Sequence, residues 1–411
     1  MTDRTIPLPV TALPPTPDEL AELVRTDASA VGELLRGLEP EGQLALALSL
    51  PAERREPLLA LIEEPELVVP LLPETELLHT LRGAGLDQSA WLLAWASDEQ
   101  RQACIDVDCW DRDGFAPDRF REWVDALIEA GDDALLAALC ELDDDVWVLG
   151  LCAMAEFELG GWGGGDSEDG LVWFACEDDR DTERVRAILR TCLVSDRRRY
   201  SSLVAAAING EEIEAEELAL HWRDARMSDL GFPPREQAMR AYRPLRPEHA
   251  ETIEIFDPAR DTLEPAGETW LPVAFEGGGL GDALRALPPS RALELLGYVL
   301  GVANALAVAD RLELSDPASV PAALEKAVRG IDLGLRELAK QRNQPLDRVL
   351  SRTRPLDLFR IGVTLEPSLA ALPEARGPAA AAPDDSVYAE LLALFGDDAG
   401  VEPLWEPGDG D

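Results

Sequence analysis

Lysine is almost missing from this 411-residue chain: Lys326 and Lys340 are the only two, and every other base among the 37 is arginine. Neither lysine follows a glycine-rich loop and no GxxxxGK occurs, which excludes a P-loop nucleotidase. Histidine is as scarce, with His79, His221 and His249 far apart, and there is no HExxH and no GxSxG. Zinc proteases and hydrolase triads therefore lack their parts. The six cysteines (Cys104, Cys109, Cys140, Cys152, Cys176, Cys192) are scattered and contain no CxxC, so reduced, mostly buried thiols are expected rather than a disulfide frame or a zinc site. The opening MTDRTIPLPV lacks a basic stretch followed by an apolar core, so no signal peptide is expected. The longest apolar run, Leu295 to Ala309, is short of the roughly 20 residues of a membrane helix. No membrane insertion, a cytoplasmic location and no bound cofactor or metal are the expectations that follow.

What is present in excess is acid: 80 Asp and Glu give a formal net charge of -43. With 46% hydrophobic residues spaced at helical intervals among the acids, the charge belongs on the solvated faces of helices. Such a surface repels nucleic acid and anionic lipid. The near-absence of lysine beside so many acids fits a GC-rich genome or a salt-adapted cytoplasm.

The length exceeds what one core usually supports, so two domains are expected. The fold class is all-α for the most part. Between Asp27 and Cys152, helix starts are marked by Pro40-Glu41, Pro51-Ala52-Glu53, Pro73-Glu74, Ser97-Asp98-Glu99 and Pro117-Asp118, because proline is tolerated in a first turn and acids favour its positive end. Their spacing suits stacked helical hairpins, with an irregular helical domain as the alternative. The division expected is a flexible N-terminus (1–20), a helical-repeat domain (21–159), a glycine-rich linker (160–170), a C-terminal helical domain (171–365) and a mostly disordered acidic tail (366–411) in which Val387 to Phe395 forms an amphipathic island. In the second domain helices are expected at 181–194, 213–230, 235–242, 280–287, 290–309, 317–329, 331–341 and 346–352. The only β structure expected is one small hairpin from Thr252–Phe256 and Thr269–Phe275. On the 290–309 helix, Gly297, Gly301, Ala305 and Ala309 recur every four residues, a stripe for close helix packing. Asn304 in the same helix needs a polar contact if buried.

Two stretches can be tested as ion or phosphate sites. Asp106 to Gly114 puts Asp111, Asp113 and Gly114 at the third, fifth and sixth places of a calcium loop, but Cys109 and Phe120 would fall at the first and twelfth. An acidic interhelical loop is the favoured reading, with weak divalent-ion binding as the alternative. The run Gly277-Gly278-Gly279-Leu280-Gly281 could cradle a phosphate, yet it misses the dinucleotide spacing and reads better as a hinge or helix start.

One segment stands out against the acidic background. From His221 to Pro247 there are six arginines (Arg223, Arg226, Arg235, Arg240, Arg243, Arg246) and three acids (Asp224, Asp229, Glu236). Leu218, Trp222 and Ala225 fall at i, i+4 and i+7, which makes Trp222 a core anchor; Gly231-Phe232-Pro233 then stops the helix. The candidate binding residues are Trp222, Arg223, Arg226, Asp229, Arg240, Tyr242 and Arg243. The plain alternative is that Asp229 and the nearby Glu214, Glu216 and Glu217 simply neutralise these arginines.

The string WRDARMSDLGFPPREQAMRAYRPLRP resembles the signature of a bacterial family of unknown function, marked by an arginine-rich helix, an Asp-Leu-Gly-Phe-Pro turn and a Tyr-x-Pro-Leu ending. The stretch from LLPETELLHTL to DALIEAG is similar to that family's N-terminal core, and GVANALAVAD, GIDLGLRELA and LDLFRIGVTL to its C-terminal core, covering about Leu71 to Thr364. The resemblance implies no activity and no catalytic residue. The leucine, proline and acid turns of the N-terminal third also resemble the acidic helical domain of bacterial magnesium transporters. Three functions remain open: a non-catalytic protein-binding or scaffold module, which the sequence favours; an enzyme with an inter-domain site around Arg223, Arg226 and Asp229; and a divalent-cation-responsive regulator.

Overall fold

The computed structural model describes residues 17–111, 114–159, 172–250 and 278–370. Twenty α-helices and one two-stranded sheet make up these residues, so the protein is predominantly α-helical. The five helix starts read from the sequence are all realised, in helices Pro40–Leu48, Ala52–Leu59, Glu74–Ala84, Asp98–Asp108 and Pro117–Ala130. The best capped is the fourth. Ser97 Oγ accepts from the Gln100 amide at 3.2 Å, and Gln100 Oε1 accepts from the Ser97 amide at 2.8 Å, a reciprocal box that satisfies two otherwise orphaned donors. The Gln100 amide nitrogen also donates to the carbonyls of Val69 and Leu72, so the same side chain ties the helix to the preceding turn.

Helix Asp98–Asp108 is the axis of the first core: every residue from Gln100 to Asp108 is buried. Around it pack Glu74–Ala84, Pro117–Ala130, Asp132–Glu141 and Glu212–Asp229. Phe120, Trp123 and Trp147 fill the centre, with Phe120 edge-on to Trp147 at 5.5 Å. One contiguous apolar cluster runs from Leu20 through to Phe232; a second, from Ala241 to Leu369, is built on Pro289–Ala309, Ser319–Arg342 and Pro355–Leu365. Leu314 packs against both, and Val308 against the first and the small group of Ala238, Ala305 and Ala309. By length and composition Pro289–Ala309 is long and apolar enough to cross a membrane, and here it lies in the second core with 56% of its most apolar window buried.

Three points add to or correct the expectations. First, a hairpin not anticipated from the sequence joins Glu156–Leu159 to Val172–Ala175 in antiparallel register, with Phe157 against Phe174. The pair expected at 252–256 and 269–275, the glycine-rich linker and the C-terminal island lie outside the described residues. Second, 317–329 and 331–341 are one helix, Ser319–Arg342, running straight through Gly330. Gly330 is there for packing: a Cβ on Gly334 would stand 1.9 Å from the Leu358 carbonyl oxygen, and one on Gly362 would stand 2.1 Å from that of Gly330. Helices Ser319–Arg342 and Pro355–Leu365 therefore touch backbone to backbone, which only glycine permits. Third, the small-residue stripe packs tightly at its end, where Ala305 and Ala309 meet Ala238, whereas Gly297 faces open space.

The glycine run before residue 282 proves to be a helix start. Gly278 caps Gly279–Arg285, and Asp332 Oδ1 accepts from the Leu280 amide at 2.8 Å, taking the place an anion would need.

Gly334→Ala should lower stability by about 3 kcal/mol, since the new methyl has backbone rather than a yielding side chain in its way. Gly297→Ala, in the open interior of a helix, should raise it by about 0.5–1 kcal/mol. Urea titration of both variants checks the pair, and equal effects would contradict the packing described. The thiols give a second expectation. Cys104, Cys109 and Cys192 are buried and Cys140 is exposed, and burial pushes the Cys192 thiol up to about 11. In the unfolded chain that thiol ionises near its ordinary 9.0, so its contribution to stability is full below pH 9 and is lost as pH rises towards 11. Cys192→Ala should flatten that alkaline loss, and Cys140 should react first with a thiol reagent.

Candidate functional site

The arginine-rich segment begins on helix Glu212–Asp229, which docks through Ala215, Ala219 and Met227. Alanine at two of these positions lets the helix lie close to Asp98–Asp108 and Asp144–Met154, and Arg223 and Arg226 fall on the same inner side. Trp222 is therefore not a core anchor. It is 52% exposed, edge-on to His221 on the outer face, in line with the exposed Leu218. The i, i+4, i+7 apolar line is real but faces outward. The stop is formed as expected: Gly231 takes φ 85°, and the Phe232 amide donates back to the Met227 carbonyl at 2.8 Å.

Arg226 and Arg223 converge on one buried residue, Asp106, the first at its carboxylate and the second at its backbone carbonyl. Arg226 Nε and Nη2 donate to Asp106 Oδ2 and Oδ1 at 2.6 and 3.0 Å, and Nη2 also reaches Asp143 at 2.8 Å. Arg223 Nε donates to the Asp106 carbonyl at 2.6 Å, its guanidinium lying over the Trp110 ring at 5.6 Å and 3.4 Å from Asp224. Gln102 adds a further bond to Asp106. Burial lowers the Arg223 pKa despite its acidic neighbours; for Arg226 burial acts the same way but is outweighed by Asp106 and Asp143, so its pKa is raised. The neutralising acids are thus Asp106, Asp143 and Asp224, not the expected Glu214, Glu217 or Asp229. Glu216 has another task, accepting from the Phe115 amide at 3.0 Å and holding the turn around Gly114. Asp106 and Asp108, just before the positions tested as a calcium loop, belong to a helix end and to arginines, and Asp113 of that loop lies outside the described residues. Among the described residues no group of three His, Cys, Asp or Glu side chains could hold a metal.

Tyr242 belongs to a second polar cluster. It donates to Asp310 Oδ1 at 2.5 Å, and Lys326 donates to both the Tyr242 oxygen and Asp310 Oδ2 at 2.6 and 2.7 Å. Burial, reinforced by the bond to Asp310, pushes the phenol up. One of the two lysines in the chain therefore clamps three elements of the second core together, and Tyr242 is held by it. Asp229 is exposed and lines neither the cleft nor the depression described next.

The remaining arginines behave differently. Arg235, Arg240, Arg243 and Arg246 are exposed, and no carboxylate pairs with any of their side chains among the described residues. Arg235, Arg240 and Arg243 border a shallow depression of about 470 Å³ with Glu236 and Met239. On its other side Arg235 reaches a cleft of about 390 Å³ between the two cores, walled by Trp110, Met227 and Phe232 on one side and by Val308 and Arg311 to Leu314 on the other. Arg119, Arg223 and Arg311 also line it, the first paired with Glu313. Arg311 has no ionic partner among the described residues and holds φ 54°, a left-handed conformation unusual for a side-chain-bearing residue. Of the three side chains expected to meet in an inter-domain cavity, only Arg223 reaches this cleft. Arg311 and Trp110 carried no signal in sequence, and Asp106 had been grouped with a loop.

The family model described as a family of unknown function (DUF6178) matches residues 33–372, and the chain belongs to that family. The match extends beyond the 71–364 stretch read from its motifs. No curated protein matches the chain. No solved structure matches it.

Arg226→Ala would leave Asp106, 1% exposed, without its main charge partner and should cost about 3 kcal/mol, the low end for a broken buried pair because Arg226 itself is partly exposed. Arg240→Ala should change stability by less than about 0.5 kcal/mol. Paired chemical denaturation curves check both, and similar values for the two variants would contradict the division into structural and free arginines.

Proposed function

We propose that this protein is a non-catalytic binding module that engages an acidic segment of a partner protein along Arg235, Arg240, Arg243 and Arg246. One observation carries the reading: in a chain with 80 acids and 37 bases, four arginines lie close together in sequence on an exposed surface with no acidic partner among the described residues. Some exposed arginines of this chain do find a carboxylate, as Arg54 and Arg336 do with Asp18 and Asp332, and none of these four does so among the described residues. Guanidinium is weakly hydrated and forked, which suits it to carboxylates on a second chain. The overall charge of -43 opposes nucleic acid and anionic lipid, so a protein partner met in the cytoplasm is the fitting class. Rim charges of this kind would act on the association rate and its salt dependence. The stacked helices of the N-terminal half would serve as the scaffold that presents the strip.

The test uses the full chain and fluorescence anisotropy of a labelled poly-glutamate peptide beside a length-matched neutral peptide, at low and high salt. Expected are saturable binding of the acidic peptide alone, weakening as salt rises, and a loss of about tenfold in Arg240→Glu/Arg243→Glu at unchanged melting temperature. Equal binding of both peptides, or an unaffected double variant, would overturn the reading.

A further inference from the structure

The cleft between the two cores shares Arg235 with the outer strip but not Arg240 or Arg243, which do not line it. Its volume of about 390 Å³ is within the range of small-molecule sites. One wall is apolar, with Trp110, Met227 and Phe232 from the first core facing Val308, Leu312 and Leu314 from the second. Two guanidiniums at its edge, Arg235 and Arg311, are unpaired among the described residues, while Arg119 and Arg223 already have Glu313 and Asp106. Two further features are unexplained by packing. Trp110 is 6% exposed and its Nε1 has no hydrogen-bond acceptor among the described residues, although a buried indole N–H usually has one. Arg311 sits at φ 54°, immediately after the helix whose end is clamped by Asp310, where glycine would be free of strain.

We infer that this cleft binds a small organic anion: a carboxylate or phosphate carried on an aromatic or aliphatic body. The anionic group meets Arg235 and Arg311, and the body lies on the apolar wall beside Trp110. The left-handed backbone at residue 311 is retained because it supplies a guanidinium that glycine cannot.

Calorimetry of the full chain with phenylpropionate, its uncharged analogue phenylpropionamide and phenyl phosphate tests this. Binding of one or both anions but not of the amide supports the inference, and the tighter anion identifies the head group. Arg311→Gly should weaken anion binding by about tenfold while leaving the melting temperature the same or higher, because it removes a charge and backbone strain together. Arg235→Ala should weaken binding comparably, and Arg240→Glu/Arg243→Glu should leave it unchanged, which separates this site from the acidic-partner strip. The inference is overturned if the amide binds as well as the acid, if neither anion binds, or if Arg311→Gly and Arg235→Ala bind as the parent does.

Discussion

Two carboxylates buried at the C-terminal end of one helix, Asp106 and Asp108, are the constraint on which the first core depends. A helix C-terminus carries partial negative charge, so this is an unfavourable end for a buried acid. Each is made tolerable by arginines brought from elsewhere. Asp106 takes Arg226 and, through its carbonyl, Arg223; Asp108 takes Arg82 together with the Trp123 indole at 2.6 Å, with Arg119 3.7 Å away. The helices carrying Arg82, Arg119 and Arg226 cannot leave helix Asp98–Asp108 without stranding a charge in a medium of low dielectric. Apolar packing holds these helices together, and the buried charges fix how they are arranged.

This constraint also explains why the bases are arginine. A bidentate fork satisfies both oxygens of Asp106 and still reaches Asp143, which one ammonium could not do in the same geometry. Arg101 does the same between Glu141 and the carbonyls of Leu93 and Ala96, and Arg184 between Asp125 and Asp181. Lysine is kept where a compact charge suffices, in the Tyr242–Asp310–Lys326 cluster. Most arginines outside the surface are thus spent on internal acids, whereas those at 235, 240, 243, 246 and 311, like the exposed Arg197 and Arg198, have no ionic partner among the described residues.

Local signals were legible in the sequence, and relations between distant elements were not. Proline-acid pairs marked helix starts because their physics acts within one turn. Gly231-Phe232-Pro233 announced its stop for the same reason. Trp222 misled because the helix Glu212–Asp229 has two faces that each look acceptable: an apolar line at 218, 222 and 225, and an inner face of alanines and arginines. Only the position of Asp106, 120 residues away, decides between them. Gly330 looked like a breaker because its reason, the crossing of a helix carrying Gly362, lies some thirty residues downstream. The arginine cluster was visible as a cluster, but the difference between Arg226 and Arg240 is wholly one of partners. The same side chain in the same stretch is structural in one place and free in the other.

The two cores are also held to each other at fixed points. His79 Nε2 stands 3.1 Å from the Leu314 carbonyl, and because a carbonyl only accepts, that nitrogen carries the proton. Arg119 bonds both the Asp108 carbonyl and Glu313, so the residue that helps neutralise the first core's buried acid also anchors the segment leading out of the second. Leu314, between these bonds, packs into both clusters. The far wall of the cleft, residues 308–314, is therefore fixed by the same charge network that orders the near wall. A site whose two walls share one network is set before anything enters it, so little ordering remains to oppose binding. The buried carboxylates that constrain the fold thereby constrain the shape of a cleft that lies between its cores and carries arginines unpaired among the described residues.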